Sequence, residues 1–476
     1  MRFTLGSFTL TLAALVAFSA AADAGPTPTP QCQYVHVTDP CQNDLLIFDA
    51  GEEFITHNIP LHLGLPGGYE VGGVDFAEVP GFRDKYSFVA QGPYLRVIKH
   101  ELAVVWRTVD VELAVGLPNL HLQRVHAAGP VTIGGQTRYP LYLSGYKTTP
   151  GGFEPVYIVL DQEALLAYYF NYNSIEIDSG SVCIEGNACR GVALDISAGA
   201  SLSSGPLQEA YVTVIDYVDS DRFQRIYHLT LEADGNVTVS LDPWNDEGVV
   251  FSGAAHRSIG LDFDRTGVVP VGLFQTTAVD TNLINGEASC ALPGDPTDIE
   301  VWGPSGNNQS YYHFVTSRDA SGDHLLAYPP NECPTTGGPH TLSLPAGDYA
   351  RGIGISSDTD DQIWVYTANK DHGITAVEMQ ILNSGPTVLQ TLDIPFQGCP
   401  MDIAFRDPSI TICNAFEDQP DPAYPIEQGP GLDDPDDPDE CPEDSTDPQC
   451  IDPGGPSGPL EDCPPGGCTL RLPGGR

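Results

Sequence analysis

The chain has 476 residues, with 20 Lys and Arg against 64 Asp and Glu, a formal net charge of −44. Such a field repels polyphosphates and anionic bilayers, which excludes nucleic acid and membrane surfaces as partners. Fifty Gly and 42 Pro, with only short apolar runs, point to an all-β chain rather than a helical one.

Met1-Arg2, an apolar run over 10–20 and Ala22-Asp23-Ala24 read as a secretory signal spanning residues 1–24, which predicts a secreted or periplasmic protein. The run is too short for a membrane span. Residues 25–414 are expected to form one repeat domain. Short alternating segments come at once: strands are expected over 34–37, 45–49 and 54–59, before Gly72-Gly73-Val74-Asp75-Phe76. Further along, 224–231 and 237–241 flank the tight-turn sequence Asp234-Gly235-Asn236. The clearest unit has strands at 363–366, 374–379 and 388–394, with turns at 369–373 and 383–386.

A motif recurs through these units. Arg190-Gly191-Val192-Ala193-Leu194, Arg257-Ser258-Ile259-Gly260-Leu261 and Arg351-Gly352-Ile353-Gly354-Ile355 share an arginine, a small residue and alternating aliphatics. Looser copies stand at Gly72–Phe76, Thr297-Asp298-Ile299-Glu300-Val301 and Met401-Asp402-Ile403-Ala404-Phe405. Repeats tens of residues apart, each holding several short strands, define a propeller or a solenoid. Seven inner strands are expected near Gly73, Leu120, Val192, Ile259, Ile299, Ile353 and Ile403, giving an all-β, seven-bladed β-propeller; the second and fifth match the motif poorly, so six or eight blades stay open. Its phase predicts a closing blade built from both termini, with 409–413 adding a strand. The strand–turn–strand order over residues 33–413 resembles the YVTN and NHL-type β-propeller families.

In a propeller, residues just before each inner strand lie at the channel mouth. This places Arg190, Arg257 and Arg351 around one mouth, where guanidiniums grip carboxylate or phosphate in two contacts. His256 precedes Arg257, while Asp323-His324 and Asp371-His372 are expected directly before third strands of their units. Histidine titrates near neutrality, so these three are candidates for ligand contact or proton transfer. Asp262-Phe263-Asp264-Arg265-Thr266-Gly267 lacks the closing glutamate of a calcium loop. No cofactor and no metal are expected, and no G-x-S-x-G or H-E-x-x-H motif occurs.

Twelve cysteines in a secreted chain predict disulfides. Pairing of sequence neighbours gives Cys32–Cys41, Cys183–Cys189, Cys290–Cys333, Cys399–Cys413, Cys441–Cys450 and Cys463–Cys468; connectivity itself stays open. Residues 415–476, acidic and broken by proline, are expected to be a largely disordered tail. The leading reading is a monomeric, non-catalytic propeller that binds an anionic small molecule, a glycan or a protein partner at its arginine-bearing mouth. Two alternatives stay open: a hydrolase or lyase using the same mouth, as lactonases and streptogramin lyases do on this kind of fold, or a structural cell-surface or matrix component.

Overall fold

A computed structural model describes residues 34–405 except 50–56, 63–68, 84, 101, 184–189, 203–204, 219–220, 242–248, 251–260, 264–269, 273–294, 303–311, 320, 329–339, 345–347, 360–361, 371, 383–384 and 397. Strands dominate. Their alternating residues bury one side chain against each neighbouring sheet, and Gly or Asx turns reverse the chain between them. At the 234–236 turn the Asp234 carboxylate accepts the Asn236 N–H at 3.0 Å, and Gly235 supplies φ +91°.

The strands form antiparallel up-and-down sheets. Four-stranded sheets are built from Val71–Phe76 to Val104–Asp110, from Leu120–Ala127 to Glu176–Ser181, from Asp295–Trp302 to His340–Ser343 and from Asp348–Thr359 to Gly385–Pro395. The sheet from Gly191–Ala198 to Val237–Leu241 carries a fifth strand, Val249–Val250. Leu261–Phe263 pairs with Pro270–Gly272. The remaining sheet draws on both ends of the described chain: Asp402–Phe405 pairs with Tyr34–Asp39, which continues through Asp44–Asp49 to His57–Pro60. The first strand of each sheet lies against the first strand of the next, and Asp402–Phe405 returns to Val71–Phe76. These inner strands coincide with the expected positions, within two residues at Leu261–Phe263. The protein is therefore an all-β molecule of the propeller class.

The core sits between sheets, as radial packing requires. Phe88, Leu95, Leu141 and Ile158 fill one interface. Val159, Val212 and Leu229 fill the next, and Val35, Phe48, Tyr366 and Ile374 pack the closing sheet against its neighbour. Each such side chain, fully removed from water, contributes about 1.5–3 kcal/mol. Short helices Val111–Val115 and Gln162–Leu166 connect strands at the perimeter. Asp110 caps the first by accepting the Leu113 N–H at 2.9 Å.

The disulfides depart from neighbour pairing. Cys41 bonds Cys399, with Cα atoms 5.3 Å apart and a sequence separation of 358. This overturns both Cys32–Cys41 and Cys399–Cys413. The cause is closure: pairing of Asp402–Phe405 with Tyr34–Asp39 brings the turn after Asp39 onto the segment before Met401. Asp39 fixes the junction, accepting the N–H groups of Cys41 at 3.0 Å and Cys399 at 2.9 Å. Cys183 is also disulfide-bonded. Cys32, Cys189, Cys290, Cys333, Cys413, Cys441, Cys450, Cys463 and Cys468 lie outside the described residues, as do the expected strand at 409–413 and the tail.

Candidate functional site

The inner strands carry a local signature that aims side chains at the axis. In five of them a β-bulge breaks the ladder: between Val71 and Val74, Leu122 and Arg124, Ala193 and Asp195, Pro296 and Asp298, and Ala350 and Ile353. A bulge bends the strand and turns the side chains beyond it in a new direction. Opposite Arg124, Asp195, Asp298, Ile353 and Asp402 on the second strands stand Ser144, Thr213, Thr316, Thr367 and Thr38, all fully buried. Small hydroxyl residues leave room for the charged groups that share their face.

Arg124 stands at the centre of these charges. It is 5 % exposed. Its Nη1 meets the Asp402 carboxylate, and its Nε lies 3.8 Å from Asp195. Burial works against the guanidinium charge, but Asp402, Asp195 and Asp298 outweigh it and hold the pKa above the usual arginine range. The carboxylates also stitch adjacent inner strands. Asp402 accepts the Val74 N–H at 2.9 Å, and Asp75 accepts the Ala127 N–H at 2.7 Å. Gly73 makes this approach feasible, because a Cβ there would lie 2.8 Å from Asp402 Oδ2 and 2.9 Å from Arg124 Cδ.

Two of these acids are displaced from their ordinary range. Burial pushes Asp298 well above it; Arg124 opposes this, and Asp195 and Asp402 add to it. Enclosure in the channel raises Asp75 to about 7, against the two backbone donors Ala127 and Phe76, with Glu78 and Asp402 adding to the rise. Asp75 keeps 27 % of its side-chain surface, and that surface lines the channel cavity. Burial lowers His126 to about 4. Its 3.7 Å approach to Asp75 therefore joins a neutral imidazole to a half-protonated acid at pH 7, not an ion pair.

Asp75, Arg124, His126, Asp195, Asp298 and Asp402 line a cavity of about 170 Å³. Metabolite sites typically enclose about 300–1,000 Å³, so this cavity is smaller than a usual metabolite site. Among the described residues no three His, Cys, Asp or Glu side chains are disposed to hold a metal ion.

The expected site residues do not all meet at one place. Arg190 is exposed and immediately precedes Gly191–Ala198, at the mouth where inner strands begin. Arg351 lies within Asp348–Thr359. Counted back from the residue after the bulge, Arg190 is five positions from Asp195 and Arg351 two from Ile353, so the two differ in height along the axis. His256 and Arg257 lie outside the described residues. His324 does not precede its strand: it sits inside Gly322–Tyr328, 7 % exposed, with Nε2 3.0 Å from Ser321 Oγ. His372 does precede its strand, with Nε2 3.8 Å from Asp393. Reading the repeat by its arginines overlooks Arg124 and the aspartates. A signal is present: Val74-Asp75, Leu194-Asp195, Leu261-Asp262, Thr297-Asp298 and Met401-Asp402 repeat an acid on five inner strands.

No protein-family model and no curated protein matches the chain. Among solved structures it is similar to apo AztD from Citrobacter koseri, with TM-score 0.40 and 10% identity over 79% of this chain and 97% of that one. It is likewise similar to the dihydro-heme d1 dehydrogenase NirN in complex with DHE, with TM-score 0.40 and 12% identity over 79% and 75%. A third similarity is to luciferin-regenerating enzyme, with TM-score 0.30 and 10% identity over 78% and 95%. Among the described residues no helix is long and apolar enough to cross a membrane.

Proposed function

We propose that this chain is a secreted or periplasmic, seven-bladed propeller that binds a ligand at the mouth where its inner strands begin. The observation that carries the reading is the state of the axis. Arg124 is already neutralised by its own aspartates, and the cavity beside it is smaller than a usual metabolite site. Recognition therefore falls to the mouth, where Arg190 is exposed and loops stand on a rigid ring. The Cys41–Cys399 bond suits an oxidising compartment. An anion is admissible at the mouth, next to Arg190, but not in the acid-lined channel.

One observation favours a second reading, a hydrolase or lyase. Asp75 titrates near 7 on a cavity wall, the range suited to a general acid or base. A metabolite and glycan binding screen on the mature protein separates the two, run beside Arg190→Ala/Arg257→Ala/Arg351→Ala and Asp75→Asn. A binding module loses ligand in the arginine variant and leaves it chemically intact. Turnover of a bound compound, abolished by Asp75→Asn, would replace this reading with the enzymatic one.

A further inference from the structure

We infer that the seam between the closing sheet and the sheet that begins at Val71–Phe76 is an acid-released latch: His36, sealed in the seam without a counterion, drives the two sheets apart when it takes a proton. His36 lies on Tyr34–Asp39, the strand that pairs with Asp402–Phe405, and is fully buried. Its register partners Ile47 and Ala404 join Val74, Phe76 and Ile98 in one apolar cluster between the two sheets. His36 Nδ1 lies 3.0 Å from Ser87 Oγ, and its Nε2 is buried with no hydrogen-bond partner among the described residues. Its ring centroid is 4.6 Å from that of Phe76 and 4.6 Å from that of His100, which it meets edge-on at 75°. His100 follows Tyr94–Lys99 and donates its N–H to the Lys85 carbonyl at 2.9 Å.

The groups that face His36 across the seam are cationic or already engaged. Alternation along Tyr94–Lys99 puts Arg96 on the face of Ile98. Arg96 is buried and directs its guanidinium to Gln91 Oε1 at 2.9 Å and the Leu61 carbonyl at 2.6 Å. Lys85 adds a second cation beside His100. From the closing sheet Asp402 accepts the Val74 N–H and is bound to Arg124, while His57, opposite Ile47, is exposed. Asp39, Asp44 and Asp75 lie on the other faces of their strands, where they accept from Cys41 and Cys399, from Asn58 and from Ala127. Glu78, past the end of Val71–Phe76, pairs with Arg83 at 2.6 Å. An imidazolium at His36 would therefore be a buried charge with no anion to meet it. Burial holds the His36 imidazole well below the ordinary histidine range, and His100 adds to the effect. The packed seam keeps His36 neutral, whereas an opened seam lets it charge as a free histidine does, from about pH 6.5 downward. Acid thus favours opening, and the Cys41–Cys399 bond keeps the two chain ends joined so that the seam can reclose.

The test is amide hydrogen exchange of the mature protein, read by mass spectrometry from about pH 7.5 to about pH 5 and corrected for intrinsic exchange. Exchange in Tyr34–Asp39 should stay constant down to about pH 6.5 and then quicken by about tenfold per pH unit, the slope of one proton taken up on opening, reaching about thirtyfold at pH 5. Gly191–Ala198, which does not border the seam, should keep its protection, and return to neutral pH should restore that of Tyr34–Asp39. His36→Asn retains a polar group for Ser87 but cannot titrate, so it should abolish the slope. Ser87→Ala leaves both imidazoles in place and should lower protection at every pH while keeping the slope. A flat profile in the wild type, a slope that persists in His36→Asn, or an equal loss of protection in Gly191–Ala198 overturns the latch. Should His36→Asn not fold, exchange of the His36 imidazole C2–H in the wild type decides instead: a titration midpoint below the ordinary value of about 6.5 is expected, and one at or above it overturns the latch.

Discussion

Replacing Cys41 and Cys399 by serine removes the covalent link that joins the two ends of the described chain. The bond closes a loop with a sequence separation of 358. In the chain-entropy relation such a loop withholds about 6 kcal/mol from the unfolded state, although measured losses for native disulfides usually fall at about 2–5 kcal/mol. At roughly 2 cal/mol/K of unfolding entropy per residue over a span this long, Tm moves by about 1.3 °C per kcal/mol. The double variant should therefore melt about 3–6 °C lower by calorimetry, with the far-UV circular dichroism of a β protein retained. Peptide mapping under non-reducing conditions should recover the Cys41 and Cys399 peptides as one species. Recovery of Cys41 joined to Cys32 and Cys399 joined to Cys413, or a Tm unmoved by the double substitution, would refute the closure argument.

Other expectations concern the axis. Arg124→Met leaves Asp195, Asp298 and Asp402 facing one another without a cation, and should cost about 3–5 kcal/mol in urea unfolding; a loss under about 1 kcal/mol would show the network to be solvated. The Asp75 carboxyl is raised to about 7 from 3.8, so its stabilising protonation is complete below about pH 4 and is lost as pH rises through 7, at most about 4 kcal/mol. Between pH 5 and pH 8 the wild type should lose more stability than Asp75→Asn; equal losses would place the titration elsewhere. Thr213 Oγ1 is buried with no hydrogen-bond partner among the described residues, so Thr213→Val should be neutral or stabilise by up to about 1 kcal/mol, and a clear loss of Tm would contradict that.

The inner strands are legible in the sequence because alternation bounded by Gly, Asn and Asp is local: 363–366, 374–379 and 388–394 each fall inside an observed strand. Arg124 is not legible. Its partners Asp402 and Asp195 come from other sheets, and no local pattern distinguishes a buried arginine from a solvated one. The hydroxyl residues opposite the channel positions are hidden for the same reason, since Asp402 meets Thr38 only after the chain ends pair. Asp323 resembles a turn residue, so the third strand is expected to start after His324, yet it already begins at Gly322, with φ +133°. Disulfide pairing by sequence proximity fails at Cys41 and Cys399 because the ring brings together what the chain keeps farthest apart.

The strand Asp402–Phe405 also orders events during synthesis. Among the described residues it is the last inner strand to leave the ribosome, and it carries Asp402, the counterion of Arg124, three residues after Cys399. Until it emerges, Tyr34–Asp39 presents an unpaired edge, Arg124 lacks its nearest carboxylate, and Cys41 remains a thiol. A nascent chain truncated before this strand would thus display three distress marks together: a sticky edge, an uncompensated charge and a reactive sulfur. Arrival of a single short segment cancels all three, so one late strand decides when the sheet shared by Tyr34–Asp39 and Asp402–Phe405 is complete.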